Sequence, residues 1–313
     1  MGAPRLLRLH RPRLRDGAAG VLRARTLVGQ RRARAAPGGL APDVLRLVRW
    51  LILPLYRAAD GILSVLLAPR CLSCDLPLDF PLRGPVCGAC WQAIAPIAPV
   101  CARCGDAVPG WGSDTGAAAL CPRCRRTPGG SVAAGRSAGR YDGTLRCLLH
   151  ALKYEGRRSL APALARLMRD RGAAVLAGSD IVVPVPLHWR RRWGRGFNQA
   201  EDLAIHLGLP VARALVRRRA TPPQVGLPAA RRHRNVRGAF APRRRLWGRV
   251  LNSRVCDSRH DPRVKGKVVV LVDDVATTGA TLEACGEVLR RMGAKEVRAL
   301  TAARAPVRLL QPR

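Results

Sequence analysis

The sequence predicts an α/β fold, a parallel sheet flanked by helices, preceded by a small cysteine-rich region that binds metal. Three observations predict it. Helical and strand-like periods alternate beyond residue 140, a β-branched run ends in two aspartates ahead of a small-residue turn, and eight of the eleven cysteines fall between Cys71 and Cys124. The 313 residues suffice for one large domain or two modest ones, and a 48% hydrophobic fraction excludes a mainly disordered chain. Aromatics make up only 4%, so the core must rely on Leu, Val and Ala. Of the 56 basic residues only Lys153, Lys265, Lys267 and Lys295 are lysines, and the formal charge is +36. Such a field attracts phosphate-rich partners. The same Ala, Gly, Pro and Arg-heavy composition runs through every segment, however, so local clusters carry more weight than the total.

The chain divides into three parts. Residues 1–43 are rich in arginine, hold no acid between Met1 and Leu40 except Asp16 and show no sustained period, which predicts a disordered basic arm. Residues 44–126 begin with apolar positions at Leu45, Val48, Leu51 and Ile52, then Ile62, Leu63, Val65 and Leu66. Their spacing predicts two short amphipathic helices broken near Pro54. Arg46, Arg49, Arg57 and Asp60 interrupt this stretch, so no membrane span is expected, and Met1 to Arg15 lacks the apolar centre of a secretory signal. The expected location is the cytoplasm. Residues 140–306 form the α/β domain.

Cys71, Cys74, Cys87, Cys90, Cys101, Cys104, Cys121 and Cys124 make four C-x-x-C pairs. Two thiolates on one tight turn reach a single tetrahedral ion, and a reducing compartment disfavours disulfides, so the pairs predict two structural Zn²⁺ sites. Sequential pairing gives one ribbon from Cys71 to Cys90 and another from Cys101 to Cys124; interleaved pairing is also compatible with the spacing. Gly88, Gly105 and Pro122 suit the tight turns around metal. A glycine-rich link, Thr127 to Gly139, follows. Leu145, Leu148, Leu149 and Leu152 then mark one helical face, a second helix runs from about Leu160 to Gly172, and Asp180 to Val185 reads as a buried strand followed by a basic loop.

The most specific segment is Lys267 to Thr281, K-V-V-V-L-V-D-D-V-A-T-T-G-A-T, followed by an amphipathic stretch through Leu282, Cys285, Val288, Leu289 and Met292 that stops at Gly293. Strand, acidic pair, small-residue turn and helix place two carboxylates in the crevice at the carboxyl end of a parallel sheet. The turn offers backbone N–H groups and hydroxyls at a helix N-terminus. A phosphorylated sugar fits this combination: Asp273 and Asp274 accept bonds from sugar hydroxyls, while Thr277, Thr278, Gly279, Ala280 and Thr281 wrap the phosphate.

V-L-V-D-D-V-A-T-T-G-A-T resembles the phosphoribosyl-pyrophosphate (PRPP) signature of type I phosphoribosyltransferases. With the eight-cysteine segment in front, the chain resembles the ComF family of competence-associated, amidophosphoribosyltransferase-like proteins. L-K-Y-E-G-R-R at Leu152 to Arg158, P-V-P-L at Pro184 to Leu187, R-G-F-N-Q-A at Arg195 to Ala200 and the stretch from Gln224 to Phe240 also fit, so the likeness covers about Leu45 to Arg304. It implies a type I phosphoribosyltransferase sheet behind a double zinc ribbon. It also implies a pyrophosphate loop at Pro186 to Phe197 whose cations are Arg190, Arg191, Arg192 and Arg195, and a closing loop within Arg217 to Phe240. Ala241 to Pro262 reads as an insertion. Asp273 and Asp274 become the catalytic pair, with Mg²⁺ accompanying PRPP.

Two functions follow. In one, the chain transfers phosphoribosyl from PRPP to an acceptor the sequence does not identify, releasing pyrophosphate. No general base stands out, since a lone His188, His206 or His233 is more often structural. In the other, the chain is a non-catalytic single-stranded DNA-binding factor in DNA uptake, with the PRPP site as a sensor and DNA-uptake or recombination proteins as partners. From Leu203 to Cys256 there is no acid but many arginines, and Trp189, Trp193 and Trp247 are placed either to stack on bases or to pack in the core. Cys147 and Cys285 are expected to be buried structural thiols.

Overall fold

In the computed structural model, residues 55–56, 58–63, 65–108, 120–126, 129–219, 236, 238–243 and 261–305 are described. The basic arm, the first amphipathic helix, Trp247, His233, Cys256 and most of the expected insertion lie outside them. Residues 55–56, 58–63 and 65–67 are helical, where the second amphipathic helix was predicted. Two short helices, α1 (Gly88–Gln92) and α2 (Pro122–Arg126), each carry the last cysteine of one group of four.

The sheet follows. Its elements are β1 (Ala134–Arg140), α3 (Gly143–Tyr154), α4 (Ala161–Arg171), α5 (Ala173–Leu176), β2 (Ile181–Pro184), α6 (Trp189–Arg195) and α7 (Gln199–Ile205). A small antiparallel pair, β3 (Leu215–Arg217) and β4 (Phe240–Pro242), precedes β5 (Val268–Ala276), α8 (Ala280–Arg291) and β6 (Glu296–Arg304). The strand order is β1-β6-β5-β2, and every neighbouring pair is parallel. A sheet buried on both faces needs strands that are apolar throughout, which is what Val268 to Val272 supplies.

Side chains alternate between the faces. Val270 and Val272 join one cluster with Leu145, Leu149 and Leu152 of α3, Leu164 and Met168 of α4, and Leu203 of α7. Val269 and Leu271 join the other with Leu282, Cys285 and Leu289 of α8 and Phe240 of β4. Aliphatic residues fill both layers, in keeping with the scarcity of aromatics.

Within the sheet, one element departs from the sequence reading. Ala134–Arg140, read as part of a glycine-rich link, is the edge strand β1, so the sheet starts ahead of the boundary expected at residue 140. The strand is small-sided because other chain segments press on it. A Cβ on Gly139 would meet Leu145 Cδ2 at 2.9 Å and Ile94 Cγ2 at 3.2 Å, and one on Gly135 would meet Cys104 O at 3.2 Å. Strand propensity registers side-chain packing and misses a strand selected for close approach.

The second cysteine unit docks on β1 through Gly105. This glycine has φ +67°, and a Cβ there would stand 2.5 Å from Gly135 O. Arg136 Nη1 donates to Ala102 O at 3.0 Å and Arg304 Nη1 to Cys104 O at 3.1 Å across the same junction. Gly105→Ala should therefore destabilise the protein by about 2 kcal/mol or more, combining the left-handed backbone penalty with a backbone collision. Thermal unfolding of zinc-replete wild type and variant measures this; an unchanged midpoint would mean the junction is loose.

Candidate functional site

The cysteines settle first. The sulfurs of Cys71, Cys74, Cys87 and Cys90 all lie within 4.8 Å of one another, as do those of Cys101, Cys104, Cys121 and Cys124, so the pairing is sequential. Cys74 and Cys87 sulfurs are 3.8 Å apart, and those of Cys104 and Cys121 3.6 Å. A tetrahedron with Zn–S near 2.3 Å has edges of about 3.8 Å. Amides of Ser73 and Cys87 point at Cys71 Sγ, and that of Cys121 at Cys101 Sγ. Burial raises the Cys71 and Cys101 thiols, but these and neighbouring amides outweigh it and leave each at about 6, whereas burial pushes Cys90 up to about 12. The donor chemistry and spacing fit two structural zinc ions, whose binding would displace the remaining thiol protons.

β5 delivers the acidic pair. Asp273 and Asp274 stand near its carboxyl end, at the level of Thr301 in β6. The Asp274 N–H donates to Asp273 Oδ1 at 2.9 Å. Lys153, from the last turn of α3, places Nζ 3.1 Å from Asp274 Oδ2, with both side chains largely buried. Burial and then the Asp274 charge push Asp273 up to about 7, against the pull of Lys153 and Arg217. Burial alone would lower Lys153; the adjoining Asp274 carboxylate outweighs it and raises Lys153 instead. The two acids were expected to face sugar hydroxyls together. Here Asp274 already has a cationic partner, while burial pushes the Asp273 carboxyl up.

The turn expected to wrap a phosphate joins β5 to α8. Thr278 is buried, and its Oγ1 accepts from Ala280 N at 3.4 Å. Gly279 has φ +77° and caps α8, a conformation in which a side chain would cost about 1 kcal/mol. The N-terminal end of α8 thus opens on the turn, with the helix dipole positive there.

The basic segment is not a loop. Trp189–Arg195 forms α6, capped by His188, whose Nδ1 accepts from Arg190 N at 3.4 Å, and ended by Gly196 at φ +76°. His188 is buried and serves as a cap. The four arginines diverge on so short a helix. Arg190 lies over the Trp189 ring at 5.3 Å, Arg195 over Tyr154 at 5.0 Å, Arg192 is exposed, and half-buried Arg191 lies near Arg217. Burial and then the Arg191 charge hold Arg217 below the usual range, while Asp273 pulls the other way. Arg217 pairs with Phe240 in the β3–β4 ladder, so the expected closing segment is anchored at its first and last residues. Residues 220–235 of it lie outside the described residues.

Two quoted motifs meet in space. Arg158 grips Asp202 through Nε at 2.7 Å and Nη2 at 2.8 Å and lies over the Phe197 ring at 5.5 Å. Arg213, one of the arginines in the acid-free stretch, pairs with Glu201. Cys285 is buried as expected, whereas Cys147 is exposed. Lys153, Arg217 and Arg123 were not singled out for the site; Lys153 lay inside L-K-Y-E-G-R-R, a motif with no role assigned to its lysine.

Two cysteine-clamped ribbons ahead of a parallel sheet with an acidic pair and a helix-capping turn define a double zinc ribbon joined to a phosphoribosyltransferase domain. A double zinc ribbon model matches residues 62–125, and a phosphoribosyl transferase domain model matches residues 194–313. The DNA utilization protein YhgH of Salmonella typhi is 33% identical over 238 residues, 72% of this chain and 93% of the relative. Competence protein F of Haemophilus influenzae is 30% identical over 247 residues, 75% and 97% respectively. This chain belongs to their family, the ComF family. Among solved structures, a hypoxanthine phosphoribosyltransferase from Staphylococcus aureus aligns at TM-score 0.28 and 11% identity, covering 48% of this chain and 75% of that one. Among the described residues no helix is long and apolar enough to cross a membrane.

Two outcomes are expected. Metal counting by mass spectrometry should return two zinc ions per chain, one of which is lost in Cys101→Ser. In carboxyl ¹³C NMR, Asp273 should titrate near 7; Asp274→Asn should move the midpoint down by removing a like charge, and Lys153→Ala should move it up by removing a cation.

Proposed function

We propose that this chain binds PRPP and transfers its phosphoribosyl group to a small acceptor with release of pyrophosphate. The observation that carries the reading is the convergence, at one end of the sheet, of Asp273 and Asp274 with the Thr277–Thr281 turn at the head of α8. The charge of Arg217 reaches Asp273 and that of Arg191 reaches Arg217. The turn holds the 5′-phosphate by backbone N–H groups and threonine hydroxyls. The acids accept bonds from the ribose 2′ and 3′ hydroxyls, and Lys153 pairs with Asp274.

When an acceptor attacks C1, the bond from C1 to the pyrophosphate oxygen breaks. Positive charge builds on the ring and negative charge on the leaving group. Asp273 and Asp274 face the first, and Arg191 and Arg217 the second. Mg²⁺ bound together with PRPP would supply further neutralisation of the leaving group's charge.

A second reading, single-stranded DNA binding in DNA uptake, is favoured by a specific surface. Trp189 and Trp193 are 56% and 84% exposed with ring centroids 6.3 Å apart, next to Arg190 and Arg192 on the same helix. Exposed rings beside cations suit base stacking along a phosphate chain.

Calorimetry with PRPP and Mg²⁺ tests the first reading. Binding should weaken about tenfold or more in the Asp273→Ala, Asp274→Ala double variant, since charged hydrogen bonds contribute about 1.5–3 kcal/mol each. Pyrophosphate release with one member of a panel of bases and amines would identify the acceptor; no PRPP binding at millimolar ligand would remove the reading. In filter binding, Trp193→Ala should weaken single-stranded DNA about fivefold or more through lost stacking, and affinity should fall steeply with salt. PRPP binding without turnover, together with DNA binding, would favour the second reading.

A further inference from the structure

The second zinc ribbon reaches the turn before α8 through the Arg123 side chain. Arg123 sits in α2 immediately before the metal ligand Cys124. On one side its guanidinium lies beside Cys104, Cys124 and Asp106. On the other side its Nη1 donates to the carbonyl oxygen of Thr278, 155 residues along the chain. Its Nη2 lies 3.8 Å from the position a Cβ would take on Gly279.

Peptide planarity turns this contact into a constraint on the ligand site. In a trans peptide the carbonyl and the following N–H point in opposite directions. With the Thr278 carbonyl drawn toward the ribbon, the Gly279 N–H faces away from it. The Gly279 backbone, at φ +77°, tolerates the alternative turn in which this peptide is flipped, because glycine lacks the Cβ that would forbid one of the two forms. A flipped peptide would aim a carbonyl oxygen where the N–H had been, and an oxygen repels an anion. Thr278 Oγ1 accepts a bond from Ala280 N at 3.4 Å, and the contact from Arg123 to the Thr278 carbonyl acts on the same peptide.

We propose that Arg123 is a positioning residue that holds the Thr278–Gly279 peptide with its N–H toward the sugar 5-phosphate, so that the second ribbon sets the affinity of that subsite. The inference rests on the phosphoribosyl reading and adds a function for the ribbon beyond holding the fold. Cys101, Cys104, Cys121 and Cys124 would hold the zinc ion, and such a tetrathiolate site would carry net negative charge beside the guanidinium. Arg123 itself needs no contact with ligand.

Ribose 5-phosphate and pyrophosphate, titrated separately into the full zinc-loaded chain, probe the two halves of the site. Arg123→Ala should weaken ribose 5-phosphate and PRPP by the same factor, about tenfold, and leave pyrophosphate unchanged. Arg123→Lys, which retains one charged donor, should recover part of the loss. Each variant is checked for two zinc ions and an unchanged unfolding midpoint. In wild type, the Gly279 amide resonance should shift downfield when ribose 5-phosphate is added, a readout independent of any variant's folding. The proposal is overturned by a silent Gly279 amide, by Arg123→Ala protein that binds ribose 5-phosphate as wild type does, or by equal loss of both ligands. Wild-type protein that binds neither ligand would instead remove the phosphoribosyl reading itself.

Discussion

A pair of adjacent carboxylates at the end of a buried apolar strand is the constraint around which the site is organised. Two such groups cannot both ionise cheaply when covered, and Asp273 is pushed to about 7 as a result. The surroundings respond on every side. Lys153 arrives from α3 to pair with Asp274, and Arg217, from a strand of the small antiparallel pair, balances Asp273 at the cost of its own charge being disfavoured by burial. Two elements distant in sequence, α3 and β3, are therefore tied to β5 by electrostatics as well as by packing. A crevice poised between protonation states also suits a ligand that brings its own charge.

The cysteine units belong to the same architecture. The first contributes Cys71, Leu78, Val86 and Ile94 to the cluster that also packs α3 and α4, so it shares the core of the sheet. The second has a small cluster of its own, Cys101, Val108, Cys121 and Cys124, and is joined to β1 by glycine contacts and arginine-to-carbonyl bonds. A chain poor in aromatics gains rigid, compact packing units from metal coordination, where rings would otherwise supply the buried area. Abundant arginine serves here in an interior manner: Arg136, Arg304 and Arg123 donate to backbone carbonyls at the junction of ribbon and sheet.

Legibility followed the strength of local pattern. The helix of Leu145, Leu148, Leu149 and Leu152, the strand from Ile181, and the strand, turn and helix around Asp273 were all readable, because long apolar periods and a capping glycine leave few alternatives. β1 was not, since its sequence is shaped by neighbours that press against it and lacks the bulky residues by which strands are recognised. The basic run at Trp189–Arg195 was readable as cationic but not as a helix whose arginines diverge. Lys153 and Arg217 could not be placed at all by spacing, as their meaning lies in a partner more than fifty residues away.

By itself, the sequence determined the class: an α/β sheet with its acidic pair and small-residue turn, behind cysteine pairs spaced to hold metal. These depend on local backbone chemistry, on periodicity and on how far apart two thiols on one turn can lie. Tertiary structure alone decided which cysteines share an ion, which cations face Asp273 and Asp274, and that Arg123 of the second ribbon bonds to the turn before α8. Charge and hydrogen-bond energies depend on distances of a few ångströms, and only the folded chain brings residues so far apart in sequence within that range.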